Sequence, residues 1–161
     1  LRHAESPLDL SMDDKDRILS AHGKVQALNV GSYLTKQKIT IDLAICSDAT
    51  RTKMTLANVV DAGVTIKKTN YQDALYNAPA KHILNAIQQC DANIESVLIV
   101  AHNPGIHRLA HMLGERGNIR KAQKLGFAYD PATLSIFDIE SDNWANVTSA
   151  IITLNDVVIP T

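Results

Sequence analysis

Apolar residues along this chain follow two patterns that alternate. Ile41-Asp42-Leu43-Ala44-Ile45-Cys46-Ser47 and Ser96-Val97-Leu98-Ile99-Val100-Ala101-His102 are short runs, apolar at nearly every position and closed by a polar residue. A strand with one wet face alternates, whereas a run of this kind suits a parallel sheet covered on both faces. Around these runs the spacing changes to threes and fours. Asp16 to Lys36, with Ile18, Leu19, Val25, Leu28, Val30 and Leu34, predicts a helix, and Thr50 to Asp61, with Met54, Leu56, Val59 and Val60, predicts a second. Ala80 to Cys90 and Ile106 to Leu113 are shorter helical patterns. Asn103 before Pro104 reads as an N-cap followed by proline in the first turn, so a helix opens directly after the second apolar run. Thr133 to Ile139 and Val147 to Leu154 read as strands joined through Ser141-Asp142-Asn143.

Strand and helix in alternation predict an α/β fold: a three-layer α/β/α sandwich with a mostly parallel central sheet. No repeat, low-complexity tract or linker divides residues 1–161, which are read as one domain, a length that one core can serve. The charge balance, 16 Lys and Arg against 17 Asp and Glu, gives a net charge of -1 and speaks against nucleic acid or an anionic membrane as partner. Cys46 and Cys90 lie far apart without C-x-x-C spacing, which fits a reducing, cytoplasmic setting. No apolar run reaches the roughly 18 residues of a membrane span.

Ligands of open α/β sheets bind beyond the carboxyl ends of the strands. Three polar clusters fall at such ends: Arg2-His3, Ser47 to Arg51, and His102-Asn103. For His3 to share that rim, it must sit at the end of a strand of its own. Guanidinium forks match the oxygens of a phosphoryl group, so Arg2 and Arg51 form a candidate clamp. A neutral imidazole held in one tautomer is a competent nucleophile near pH 7, which suits His3. His102, if protonated, would be a further donor, and the helix opening at Asn103-Pro104-Gly105 would add free N–H groups. This scheme calls for no metal or other cofactor.

Leu1-Arg2-His3-Ala4-Glu5, Ser47-Asp48-Ala49-Thr50-Arg51-Thr52-Lys53-Met54-Thr55 and Val100-Ala101-His102-Asn103-Pro104 resemble, in order, the motifs of the histidine phosphatase superfamily, the phosphoglycerate mutase-like fold. The short length and the Arg-His-Ala form are most similar to the SixA branch, whose members dephosphorylate phosphohistidine on signalling proteins. The resemblance implies His3 as the phosphorylated nucleophile and Arg2, Arg51 and His102 as the phosphate pocket. It also implies a phosphorylated protein, such as a phosphorelay domain, as partner.

The chain departs from the wider superfamily in two places. Ala4 stands where glycine is usual, as the SixA-like branch tolerates. Tyr71-Gln72-Asp73-Ala74-Leu75-Tyr76-Asn77 occupies the stretch where many members carry a glutamate acid, and holds none. An alkoxide leaving group needs a delivered proton, and a phosphorylated imidazole depends on one less, so the gap favours phosphohistidine. Asp14 lies in the loop where SixA-like proteins carry an aspartate and is the candidate acid. The alternatives are a small-molecule phosphomonoesterase with Asp14 as acid, or a binding module that keeps only the pocket.

Other candidates carry less. His107 and His111 have i, i+4 spacing but lack the glutamate of a His-Glu-x-x-His zinc motif, and packing roles are expected for them. The basic stretch of Arg116, Arg120, Lys121 and Lys124 is expected to be a solvated face, or else a border of the crevice that meets an acidic partner.

Overall fold

The two long apolar runs pair side by side at the centre of the molecule. In the computed structural model, which describes residues 1–115, 123–126, 128–148 and 150–160, they are β1 (Ile41–Ser47) and β3 (Val97–Val100). They run parallel with Leu43 opposite Val97 and Cys46 opposite Val100. The far edge of β1 pairs in parallel with β2 (Ile66–Gln72), giving the order β2-β1-β3.

Both faces of this sheet are covered. Leu43, Ile45 and Ile99 join one cluster with residues of α3 (Ala80–Gln88) and α4 (Gly105–Gly114). Ala44, Cys46, Leu98 and Val100 join another with residues of α1 (Ala21–Lys36) and α2 (Thr50–Asp61). Apolar side chains therefore leave the strands in both directions, which is why the sequence shows runs in place of alternation. The result is helices on either side of a central parallel sheet, as in the phosphoglycerate mutase-like fold.

The first residues complete the sheet. Arg2 forms a parallel bridge with Ala101; Ala101 N–H donates to Leu1 O at 3.2 Å and His3 N–H to Ala101 O at 3.1 Å. On its other side, Arg2 N–H donates to Thr133 O at 3.0 Å and Ala132 N–H to His3 O at 3.1 Å. Beyond Thr133 lies an antiparallel pair, β4 (Leu134–Glu140) and β5 (Ile151–Val158). The chain end carrying His3 is thus held between two walls of backbone.

Several boundaries differ from the pattern. The first helix starts at Ala21, not near Asp16, because Ser20 caps it: its hydroxyl accepts from Gly23 N–H at 2.8 Å. Its buried face is Gly23, Gln26, Ala27, Val30, Gly31 and Leu34, while Ile18, Val25 and Leu28 are exposed. Small residues win that face because α2 comes close; a Cβ on Gly31 would lie 2.5 Å from Val59 O. Asn103 does not cap α4. Pro104, after a cis peptide, takes that position, and the Asn103 amide instead donates to Tyr129 O at 3.0 Å. The last strand begins at Ile151, since Trp144–Asn146 forms a single helical turn with Val147 buried behind it. β2 has no apolar signature because it is an edge strand with exposed Lys67, Lys68, Thr69 and Asn70. No described helix is long and apolar enough to cross a membrane.

Gly105 opens α4 where a Cβ would stand 1.9 Å from Ala78 O, so the residue sets how closely α4 follows His102. Gly105→Ala is therefore expected to cost about 1–3 kcal/mol by forced displacement of backbone. Urea unfolding checks this, and an unchanged midpoint would contradict the close approach.

Candidate active site

His3 leaves the carboxyl end of the bridged N-terminal segment and His102 follows β3, so the parallel register of Arg2 with Ala101 sets the two rings side by side. Their centroids are 5.2 Å apart, with planes at 57°. His3 Nδ1 lies 2.8 Å from Ala4 O. A carbonyl only accepts, so Nδ1 carries the proton and Nε2 keeps its lone pair. Burial, followed by the positive fields of Arg51, Arg2 and Arg17, pushes the ring pKa from 6.5 down to about 4, against an opposing contribution from the Ala4 bond. His3 is neutral near pH 7.

His102 is almost wholly buried, and its Nε2 lies 2.8 Å from Ser47 Oγ, at the end of β1. Burial first, then His3 and Arg51, push its pKa down to about 3. This ring too is neutral near pH 7.

Arg51 is in the first turn of α2, where the polar face, not the apolar one, is turned inward: Arg51, Thr52 and Thr55 are buried. Thr55 Oγ1 accepts from Ala4 N–H at 2.9 Å and Thr52 Oγ1 donates to Ser47 O at 2.8 Å, which ties α2 to the segment carrying His3 and to the end of β1. The Arg51 guanidinium donates to Asp14 O at 2.5 Å and to Asp14 Oδ2 at 3.0 Å. Arg2 Nη1 donates to Tyr129 O at 2.7 Å. Among the described residues, buried side-chain nitrogens and oxygens without a partner are Arg2 Nε, Arg51 Nε, His102 Nδ1, Asn103 Oδ1 and Thr133 Oγ1. All the nitrogens in that set belong to the three residues read from sequence as a phosphate pocket.

Asp14 comes to the same place. Its carboxylate takes bonds from Tyr76 Oη, from Arg17 Nε at 2.8 Å and from Arg51. The Tyr76 hydroxyl, chiefly, with Arg17 and Arg51, holds its pKa at about 2 against partial desolvation. Asp14 is therefore a carboxylate at neutral pH in this state. Tyr76 also stands edge-on to His102, centroids 5.5 Å apart, with the Arg51 guanidinium 5.6 Å from its ring centre.

Tyr76 and Arg17 were not singled out from sequence. Tyr76 lies in the glutamate-free stretch and carries no signal of its own, whereas Arg17 stands i, i+3 from Asp14, a spacing that could have marked it. The remaining candidates lie elsewhere. His107 and His111 point Nε2 at Gly126 O, 3.3 and 3.0 Å away, and anchor that loop to α4. His22 and His82 are exposed. Arg116, Arg120 and Lys121 lie outside the described residues, and Lys124 sits 3.6 Å from Asp156. The Cys46 thiol is buried and pushed up to about 12, a packing group and not a nucleophile. A cleft of about 820 Å³ between β3 and β4, lined by Leu34, Ile41, Val97, Leu134, Ile136 and Phe137, includes none of the four residues of the proposed pocket.

No family model matches the chain. An uncharacterized protein of Mycobacterium tuberculosis strain H37Rv is 27% identical over 150 residues, 91% of each chain. Two solved structures, candidate SixA phosphohistidine phosphatases, are similar along their length. That of Nakamurella multipartitia has a TM-score of 0.86 at 25% identity, covering 100% of this chain and 94% of its own. That of Agrobacterium tumefaciens has a TM-score of 0.79 at 25% identity, covering 99% and 95%. Matching these structures along nearly the whole length of both chains, this chain is similar in fold to histidine phosphatases of the SixA-like branch.

Proposed function

We propose that this protein is a phosphatase that removes the phosphoryl group from phosphohistidine on a signalling protein, through a covalent phospho-His3 intermediate. The observation that carries the reading is His3 itself: a neutral ring whose Nδ1–H is held by Ala4 O, leaving the Nε2 lone pair free between two arginines. In the first step Nε2 attacks phosphorus and the bond from phosphorus to the substrate's imidazole nitrogen breaks. The departing imidazole keeps the electron pair, with a proton already on its ring or taken from water. In the second step water attacks phosphorus, the bond to Nε2 breaks, and inorganic phosphate and a proton leave.

Arg2, Arg51 and His102 supply donors to the equatorial oxygens, where a preorganised group is worth most in the transition state. Their unpartnered nitrogens are consistent with that use. The α4 N-terminus, beginning at Gly105 close after His102, adds a favourable dipole end. None of these steps requires a metal. Asp14, ionised and tied to Arg17, Arg51 and Tyr76, has no proton to give an alkoxide. This supports a substrate whose leaving group does not need one, and counts against the alternative of an alkyl phosphate with Asp14 as acid.

Brief incubation with a labelled phosphodonor is expected to leave label on the protein that is stable to alkali, labile to acid and missing in His3→Ala. Turnover unaffected by His3→Ala would overturn the mechanism. Arg51→Ala is expected to lower kcat/KM on a phosphohistidine protein by about 10²–10³-fold, the usual cost of one lost oxyanion donor. The neutral pair also predicts acid sensitivity. Unfolded, both rings protonate near 6.5, while folded they wait until about 4 and 3, so the unfolded chain binds more protons in between. Stability therefore falls with pH below about 6.5, by about 1.4 kcal/mol per ring per unit. Urea unfolding at pH 7.5 and 5.0 reads this, and His3→Gln/His102→Gln should lose most of the difference; an equal fall in that variant would rule the neutral pair out.

A further inference from the structure

Ser47 is fully buried at the end of β1, and its hydroxyl has one side-chain neighbour, His102 Nε2 at 2.8 Å. A buried hydroxyl must donate somewhere. Among the described residues, the ring nitrogen is the one acceptor within reach of the Ser47 hydroxyl. If Nε2 carried the proton, the Ser47 O–H would be left without an acceptor. If Ser47 donates to Nε2, that fault disappears, and the ring's one N–H is on Nδ1, the nitrogen that has no partner within the described residues and is left to meet an incoming oxygen.

We propose that Ser47 is a positioning residue: by donating to Nε2 it locks His102 in the Nδ1–H tautomer, so that a neutral ring presents a donor, and not a lone pair, to the phosphoryl oxygens. This rests on the reading of His102 as part of a phosphate pocket. The consequence is chemical. A pocket already holding Arg2 and Arg51 gains a third donor without a third positive charge, and the neighbouring His3 ring, 5.2 Å away, is spared a cation that would weaken its nucleophilicity. The groups around His102 are consistent with a neutral ring: His3 and Arg51 disfavour a charge, and Asp14, which would favour one, is neutralised by Arg17 and Arg51 and bonded by Tyr76. The same strand end does two jobs, since Thr52 holds Ser47 O while Ser47 Oγ holds the ring.

The test is a ¹⁵N-histidine NMR spectrum of the intact protein at pH 7 without substrate, with His102 assigned by its loss in His102→Gln. The expected result is a protonated Nδ1 and an unprotonated Nε2. Ser47→Ala should turn this into a mixture of tautomers, weaken inorganic phosphate binding about tenfold, and lower kcat on an aryl phosphate by about ten- to a hundredfold with KM little changed. A proton on Nε2 in the wild type overturns the proposal, and so does a Ser47→Ala protein with the wild-type tautomer. Should Ser47→Ala fail to fold, the wild-type spectrum decides alone. Because the tautomer is read without substrate, the wrong substrate class would leave this result standing.

Discussion

The bridge between Arg2 and Ala101 is the contact on which the site depends. It places the residue after each, His3 and His102, at the same level of the sheet, so two side chains about a hundred positions apart share one rim. Bonds to Ala101 on one side and to Thr133 and Ala132 on the other leave the segment no freedom to slide. In a sheet the side-chain period is two, and a slip of one residue would turn His3 to the opposite face of the sheet. Backbone pairing thus does for His3 what side-chain packing alone could not.

Around that bridge the fold solves an electrostatic problem. Two imidazoles and two guanidiniums crowd one end of the sheet, and burial adds to their mutual repulsion. Neutral rings are the response, and Asp14 is the other. Its carboxylate meets Arg51 and Arg17 at once, and its own backbone carbonyl takes a further bond from Arg51. The loop following His3 is thereby strapped across to α2, while Lys15 reaches Asp48 and Asp73 beside it. Hydroxyls from Ser47, Thr52 and Thr55 lie among these groups, which explains why α2 buries polar residues ahead of Leu56 and Val59.

Much of the framework could be read from pattern because burial on both faces leaves a direct trace. β1 and β3 are apolar at nearly every position since helices cover each side. β2 escaped notice for the opposite reason: it has one neighbour, and its side chains meet water. The inward face of α1 was misread because close helix packing selects glycine and alanine, which hydropathy hardly weighs, and leaves Val25 and Leu28 outside. At Asn103 a plausible cap lost to tertiary demand, its amide being drawn away to Tyr129.

By itself the sequence determined which chemical groups were available: one Arg-His pair, a second arginine, a second histidine, and their order relative to the strands, since residue type and strand periodicity are local properties. The tertiary structure alone decided the states of those groups. That Asp14 is held as a carboxylate, that Tyr76 joins it, that Ala4 and Ser47 grip one nitrogen of each ring, and that both rings stay neutral are consequences of distances across the fold. Protonation depends on burial and on neighbouring charge, and neither exists until the chain has closed around the site.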